Sequence, residues 1–153
     1  AAVYYGGSLD IIKLSREHFF GHEEGMVMGE KVVYSDLERS VLDALDRPDL
    51  IGGIEASAQV LFHAGKKINF TKLLEYLRRF NDSALARRFG YLCEALNISL
   101  PKPIVAYLSR QVKKDAAYLG SPKRWGTTGE RHKRWNLILN VPYQELMGEV
   151  YIG

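Results

Sequence analysis

Two hydrophobic periods divide the chain. Over residues 2–34 apolar residues come in short runs broken by glycine. From residue 35 to about 112 they recur three and four apart. The first pattern predicts strands and the second predicts helices. Val3-Tyr4-Tyr5 and Leu9-Asp10-Ile11-Ile12-Lys13-Leu14 flank Gly6-Gly7-Ser8 and read as a hairpin. Gly25-Met26-Val27-Met28 and Lys31-Val32-Val33-Tyr34, around Gly29-Glu30, read as a second. The glycine at its tip supplies the positive φ such a turn needs.

Ser35-Asp36-Leu37-Glu38 reads as a helix start, with Ser35 capping and Glu38 reaching back to it. Leu37, Val41, Leu42 and Leu45 form the apolar stripe, and Asp36, Arg39, Asp43 and Arg47 form a charge ladder on another face. Pro48 ends that helix, and Gly52-Gly53 breaks the chain before the next. Further helices are expected over 54–64, with Gly65 as C-cap, over 70–80 with Asn69 as N-cap, over 83–96, and over about 104–112 after Pro101 and Pro103. Gly90 lies inside the 83–96 helix, where it costs about 1 kcal/mol against Ala and lets a neighbouring helix come close.

Residues 119–134 are rich in Gly, Ser, Thr, Lys and Arg without periodicity and read as a basic loop. A last strand is expected over 135–141 and a short helix over 143–150. The expected fold class is α+β, a single domain over 1–153. A small antiparallel sheet, built from 2–34 and joined by the 135–141 strand, packs against four or five helices of a lobe spanning 35–118.

Composition sharpens this picture. The chain has 153 residues, enough for one domain with its own core. Its apolar runs are too short to span a bilayer, and Cys93 is its one cysteine, which fits a reducing, cytoplasmic setting. The net charge of +3 conceals a strong polarity. Residues 1–60 carry net −6, residues 61–101 net +4 and residues 102–134 net +7. A basic second half of this kind suits phosphate contact.

Several motifs suggest chemistry and fall short of it. Gly6-Gly7-Ser8 after an apolar strand is how nucleotidyltransferases begin, but the facing carboxylate pair that would hold two metal ions is missing. His18 and His22 stand four apart like zinc ligands, yet Gly21 and Phe19-Phe20 argue against a helix, and no third ligand follows. Phe19 and Phe20 are expected to plug the core. Cys93 shares a face with Ala86, Phe89 and Gly90 and reads as buried. Ala64-Gly65-Lys66-Lys67 lacks the other residues of a phosphate-binding loop. No catalytic residue, metal or cofactor is assigned.

One signal repeats along the chain. Arg78-Arg79 and Arg87-Arg88 flank a helix–helix turn, and Arg87 lies one turn from Tyr91. Lys102, Arg110, Lys113 and Lys114 follow, then Lys123-Arg124-Trp125 and Arg131-His132-Lys133-Arg134-Trp135. Lysines and arginines interleaved with aromatics suit phosphate contact and base stacking. The expected nucleic-acid face comprises Arg78, Arg79, Arg87, Arg88, Tyr91, Lys113, Lys114, Lys123 and Arg124. An alternative use is protein docking through the acidic 36–49 helix, with Asp36 and Asp43 as contacts.

Several blocks in order resemble a known family. They are Phe19-Phe20-Gly21, then Val32-Val33-Tyr34-Ser35-Asp36-Leu37-Glu38-Arg39-Ser40-Val41-Leu42-Asp43-Ala44-Leu45, then Arg47-Pro48-Asp49-Leu50-Ile51-Gly52-Gly53. Leu73-Leu74-Glu75-Tyr76, Ala86-Arg87-Arg88-Phe89-Gly90-Tyr91-Leu92-Cys93-Glu94 and a Trp135-Asn136 strand ending at Asn140 complete the set. Together they resemble the C-terminal domain of AbiEi-type antitoxins, transcriptional regulators of abortive-infection, type IV toxin–antitoxin systems. The resemblance implies a non-enzymatic regulator that counteracts a nucleotidyltransferase-like toxin without forming a stable complex with it, and that assists DNA binding. In that family an N-terminal winged helix-turn-helix reads the operator. Nothing before residue 34 reads as one, so the chain is either a C-terminal piece or a domain that works without that module.

Overall fold

The computed structural model describes residues 2–5, 8–11 and 20–152. Strands β1 (Ala2–Tyr5) and β2 (Ser8–Ile11) pair antiparallel with Tyr5 opposite Ser8. Gly6 and Gly7, on which the turn reading rests, lie outside the described residues, as do His18 and Phe19. Strands β3 (His22–Val27) and β4 (Glu30–Ser35) form the second hairpin, and β1 lies beside β4. Its two-residue turn takes positive φ at both positions, Met28 at 51° and Gly29 at 82°. That geometry matches the twist of the flanking strands, and the Met28 side chain stands almost wholly in solvent.

Helix α1 (Leu37–Asp46) is central and contacts three others, α2 (Ile54–Ala64), α3 (Phe70–Phe80) and α4 (Ser83–Ala95). Its stripe of Val41, Leu42 and Leu45 is fully buried, whereas Leu37 stays partly exposed. The cap is Asp36 rather than Ser35: Asp36 Oδ1 accepts the Arg39 N–H at 2.8 Å. Glu38 turns away from the helix start and accepts the Asn69 N–H at 3.1 Å, tying α1 to the start of α3. Asn69 in turn caps α3, as the sequence predicts. Asp82 caps α4 by accepting the Leu85 N–H. Between α3 and α4 the chain reverses at Asn81, which adopts the left-handed conformation and returns its N–H to Leu77 O. Gly65 is the C-cap of α2, as expected, and keeps right-handed angles. Its missing side chain leaves room for Ile98.

Helix α5 (Lys102–Arg110) packs on α4, and α7 (Tyr143–Ile152) packs on α2. The 119–134 segment is not one loop. It contains the single-turn α6 (Pro122–Trp125) and strand β6 (Glu130–His132). Strand β7 (Leu137–Leu139) does not join the N-terminal strands as expected. It pairs antiparallel with β6 and parallel with β5 (Ala117–Tyr118), making a separate sheet of order β5-β7-β6. The fold is α+β: helices cover most of the chain, with small sheets at either end of it.

One core runs through the helices and reaches the C-terminal sheet through Leu119, Trp135, Leu137 and Val141. The sequence predicts that Gly90 lets a helix approach, but its neighbour is Trp135. A side-chain carbon at Gly90 would stand 2.5 Å from the Trp135 ring. Cys93 and Phe20 are buried, as expected.

The charge ladder of α1 also turns inward. Arg39, 1% exposed, lies over the rings of Phe20 and Phe80 at 4.3 and 4.6 Å. It donates to Asp43 at 2.9 Å and to the Phe20 carbonyl at 3.1 Å. A buried guanidinium requires this many partners to repay its lost hydration.

Candidate nucleic-acid interface

The ends of α3 and α5 converge. The Tyr107 hydroxyl donates to Leu77 O at 3.1 Å, and Ser83 Oγ donates to Gln111 O at 2.5 Å. Both helices end in exposed arginines, Arg78 on α3 and Arg110 on α5. Helix C-termini favour cations, because their last carbonyls carry partial negative charge. Burial raises the Tyr107 phenol pKa, and the fields of Arg78 and Arg110 oppose that rise, so both cations act on the same group.

Just beyond α5, the exposed Lys113 and Lys114 are held in place by Asn136. Its Nδ2 donates to Lys113 O at 2.7 Å and to Lys114 O at 3.0 Å. Its Oδ1 accepts from Arg131 Nε at 2.6 Å, and Arg131 also donates to Lys114 O at 3.3 Å. Asn136 sits in the left-handed region, at φ 50°, in the turn between β6 and β7. Arg78, Arg110, Lys113, Lys114 and Arg131 thus form one exposed basic band. The expected face contains three of these five. Arg131 is added by the β6–β7 pairing, and Asn136, which organises that end, gave no sequence signal beyond its place after Trp135.

Arg87 is not on that face. It is 4% exposed, and its NH1 donates to Asp115 O and Asn136 O, each at 3.0 Å. Burial lowers its pKa. It supports the band from inside by holding the 113–115 segment against Asn136. The expected pairing of Arg87 with Tyr91 is absent, because the arginine points to these carbonyls. The Tyr91 ring packs edge-on against His132, with centroids 5.3 Å apart. Arg79 is exposed but lies over Phe20, at 4.6 Å, beside the N-terminal strands.

The remaining predicted residues lie together elsewhere. Arg88, Lys123 and Arg124 line a cleft of about 650 Å³ with Trp125, Leu119 and the Pro48–Ile54 turn. Arg124 forms a two-pronged ion pair with Glu55, at 2.9 and 2.7 Å, and its guanidinium lies 4.4 Å from the Trp125 ring centre. Gly53, at φ +110°, must be glycine here. A side-chain carbon would fall 2.2 Å from the Glu55 carboxylate.

The two carboxylates expected as docking contacts on the acidic helix have internal partners. Asp43 is engaged by Arg39, and Asp36 accepts from the Tyr76 hydroxyl at 2.5 Å and pairs with Lys72 at 3.5 Å. Both carboxylate side chains are only 10% exposed. Among the described residues no group of three or more His, Cys, Asp or Glu side chains is arranged to hold a metal ion, and no helix is long and apolar enough to cross a membrane. Burial raises the Cys93 thiol pKa far above its ordinary value. In comparisons with known proteins, the chain matches no family model, no curated protein and no solved structure.

Proposed function

We propose that this domain is a non-enzymatic, antitoxin-type transcriptional regulator of an abortive-infection, type IV toxin–antitoxin system, and that its basic band lies along DNA phosphates. The observation that carries the DNA half is the band itself. Two helix ends and the β6–β7 turn bring five exposed cations onto one surface, and no carboxylate pairs with any of them among the described residues. Such a surface gives affinity without base specificity. That suits a domain working beside a separate operator-reading module.

The antitoxin half rests on the ordered sequence blocks that run from Phe19 to Asn140, and the partner it counteracts is a nucleotidyltransferase-like toxin. The inward use of Asp36 and Asp43 weighs against stable docking through α1.

Fluorescence anisotropy with a DNA duplex over a salt series tests the DNA half. The K113E/K114E and R78E/R131E variants should bind more weakly, and the salt slope should shrink by about 0.9 for every phosphate that is no longer neutralised. R79E, on the other side of α3, should bind like the parent. Unchanged affinity and slope in both double variants overturn the band. For the antitoxin half, co-expression with a co-transcribed nucleotidyltransferase-like protein should restore growth that the toxin alone arrests.

A further inference from the structure

The cleft between the Pro48–Ile54 turn and the Leu119–Trp125 segment shares no residue with the basic band. Its chemistry is different. Arg88 is half-buried, and its Nε donates to Tyr118 O at 2.8 Å, which fixes the plane of the guanidinium. Its two terminal nitrogens have no hydrogen-bond partner among the described residues. Asp82 and Asp46 act on Arg88 only through their fields, and burial together with the charge of Arg87 outweighs both, lowering its pKa. A fixed, partly desolvated arginine with an unused fork is a strong receptor for a phosphate or carboxylate.

Lys123 on α6 is exposed, lines the same cleft and has no ion pair among the described residues. Asp49 is the one carboxylate lining it, and Glu55 beside it is occupied by Arg124. Of the apolar residues lining it, Trp125 is partly exposed, whereas Ile54 and Leu119 belong to the core and form its floor. At about 650 Å³ the cleft is the size of a small-molecule site.

We propose that this cleft binds a small nucleoside phosphate. The phosphate lies between the Arg88 fork and Lys123, and the ring system lies against Trp125. Arg124 is a positioning residue: its bond to Glu55 holds the α6 turn, and with it Lys123 and Trp125, against the start of α2. The site makes the domain responsive to a soluble ligand as well as to DNA.

Calorimetric titration of the full chain with AMP, GMP, adenosine and inorganic phosphate tests this. A nucleoside monophosphate should bind with a Kd on the order of 10 µM to 1 mM. Adenosine and inorganic phosphate should each bind at least about tenfold more weakly, because each offers only half of the interactions. R88K keeps the charge but loses the fork, and K123Q alters an exposed side chain on which no packing depends. Each should weaken binding about tenfold or more. K113E/K114E should leave nucleotide binding unchanged, even where DNA binding is lost. Tryptophan emission gives a second readout, since Trp135 is fully buried and Trp125 lines the cleft. No heat and no emission change at about 5 mM nucleotide overturns the proposal, since a Kd of about 1 mM or less would leave the site mostly occupied at that concentration. Equal affinity for inorganic phosphate, or unchanged binding in both R88K and K123Q, overturns it as well.

Discussion

Gly90 shows how much one residue can decide. Helix propensity alone favours alanine there by about 1 kcal/mol. Packing reverses the sign, because the Trp135 indole occupies the space a side chain would need. The ring is large and fully buried, and the backbone cannot yield without moving the β6–β7 turn. Gly90→Ala should therefore destabilise the fold by about 1–3 kcal/mol, the usual cost of overfilling a packed core. A urea melt checks this, and a gain in stability would show that the ring has another place to go. The sequence marked Gly90 as unusual but could not name its partner. Trp135 is 45 residues away and arrives through a sheet that local pattern did not reveal.

Among the elements, α1 and the chain entering it form a joint between the strands and the helices. Phe20, His22, Arg39, Asp43 and Tyr76 meet there. Burial, assisted by the charge of Arg39, lowers the His22 pKa below its ordinary 6.5, while Asp43 and Asp36 oppose the shift. A histidine whose pKa falls on folding binds more protons when unfolded. Its contribution is complete above pH 6.5 and is lost as pH falls through the folded-state value. Thermal melts at about pH 7.5, 6.5 and 5.5 should show Tm falling over the lower interval, and His22→Gln should flatten that fall. An identical slope in the variant would remove His22 as the cause. The α1 ladder was legible as spacing. Its inward direction was not, because alternating charges look the same on a solvated face and beside two aromatic rings.

Across the full domain, the basic second half of the sequence becomes two surfaces with an interior support between them. Arg87 is that support. Arg87→Gln removes donors from two carbonyls and should cost about 1–3 kcal/mol. It should weaken DNA binding only through a loosened 113–115 segment, so its salt slope should stay close to the parent's. Circular dichroism melts and the anisotropy series together check this. A slope reduced by about 0.9, the signature of one phosphate, would put Arg87 on the DNA after all.

Local pattern along the chain was enough for every helix but the single-turn α6 and for most of their ends, the second hairpin, the α+β class and the burial of Phe20 and Cys93. These depend on hydrophobic period, on the cap at Asn69 and the stop at Pro48, and on side-chain hydrophobicity, all of which act over a few residues. Which cations share a surface was settled only when the helices packed. Arg87 and Arg88 are adjacent in sequence, yet one is bound inside and the other opens on a cleft, because successive helical positions point about 100° apart. Packing also settled where the last strand pairs. Three residues of strand hold too little pattern to name a partner, and the choice of β5 and β6 follows from where the buried Trp135 fixes the chain.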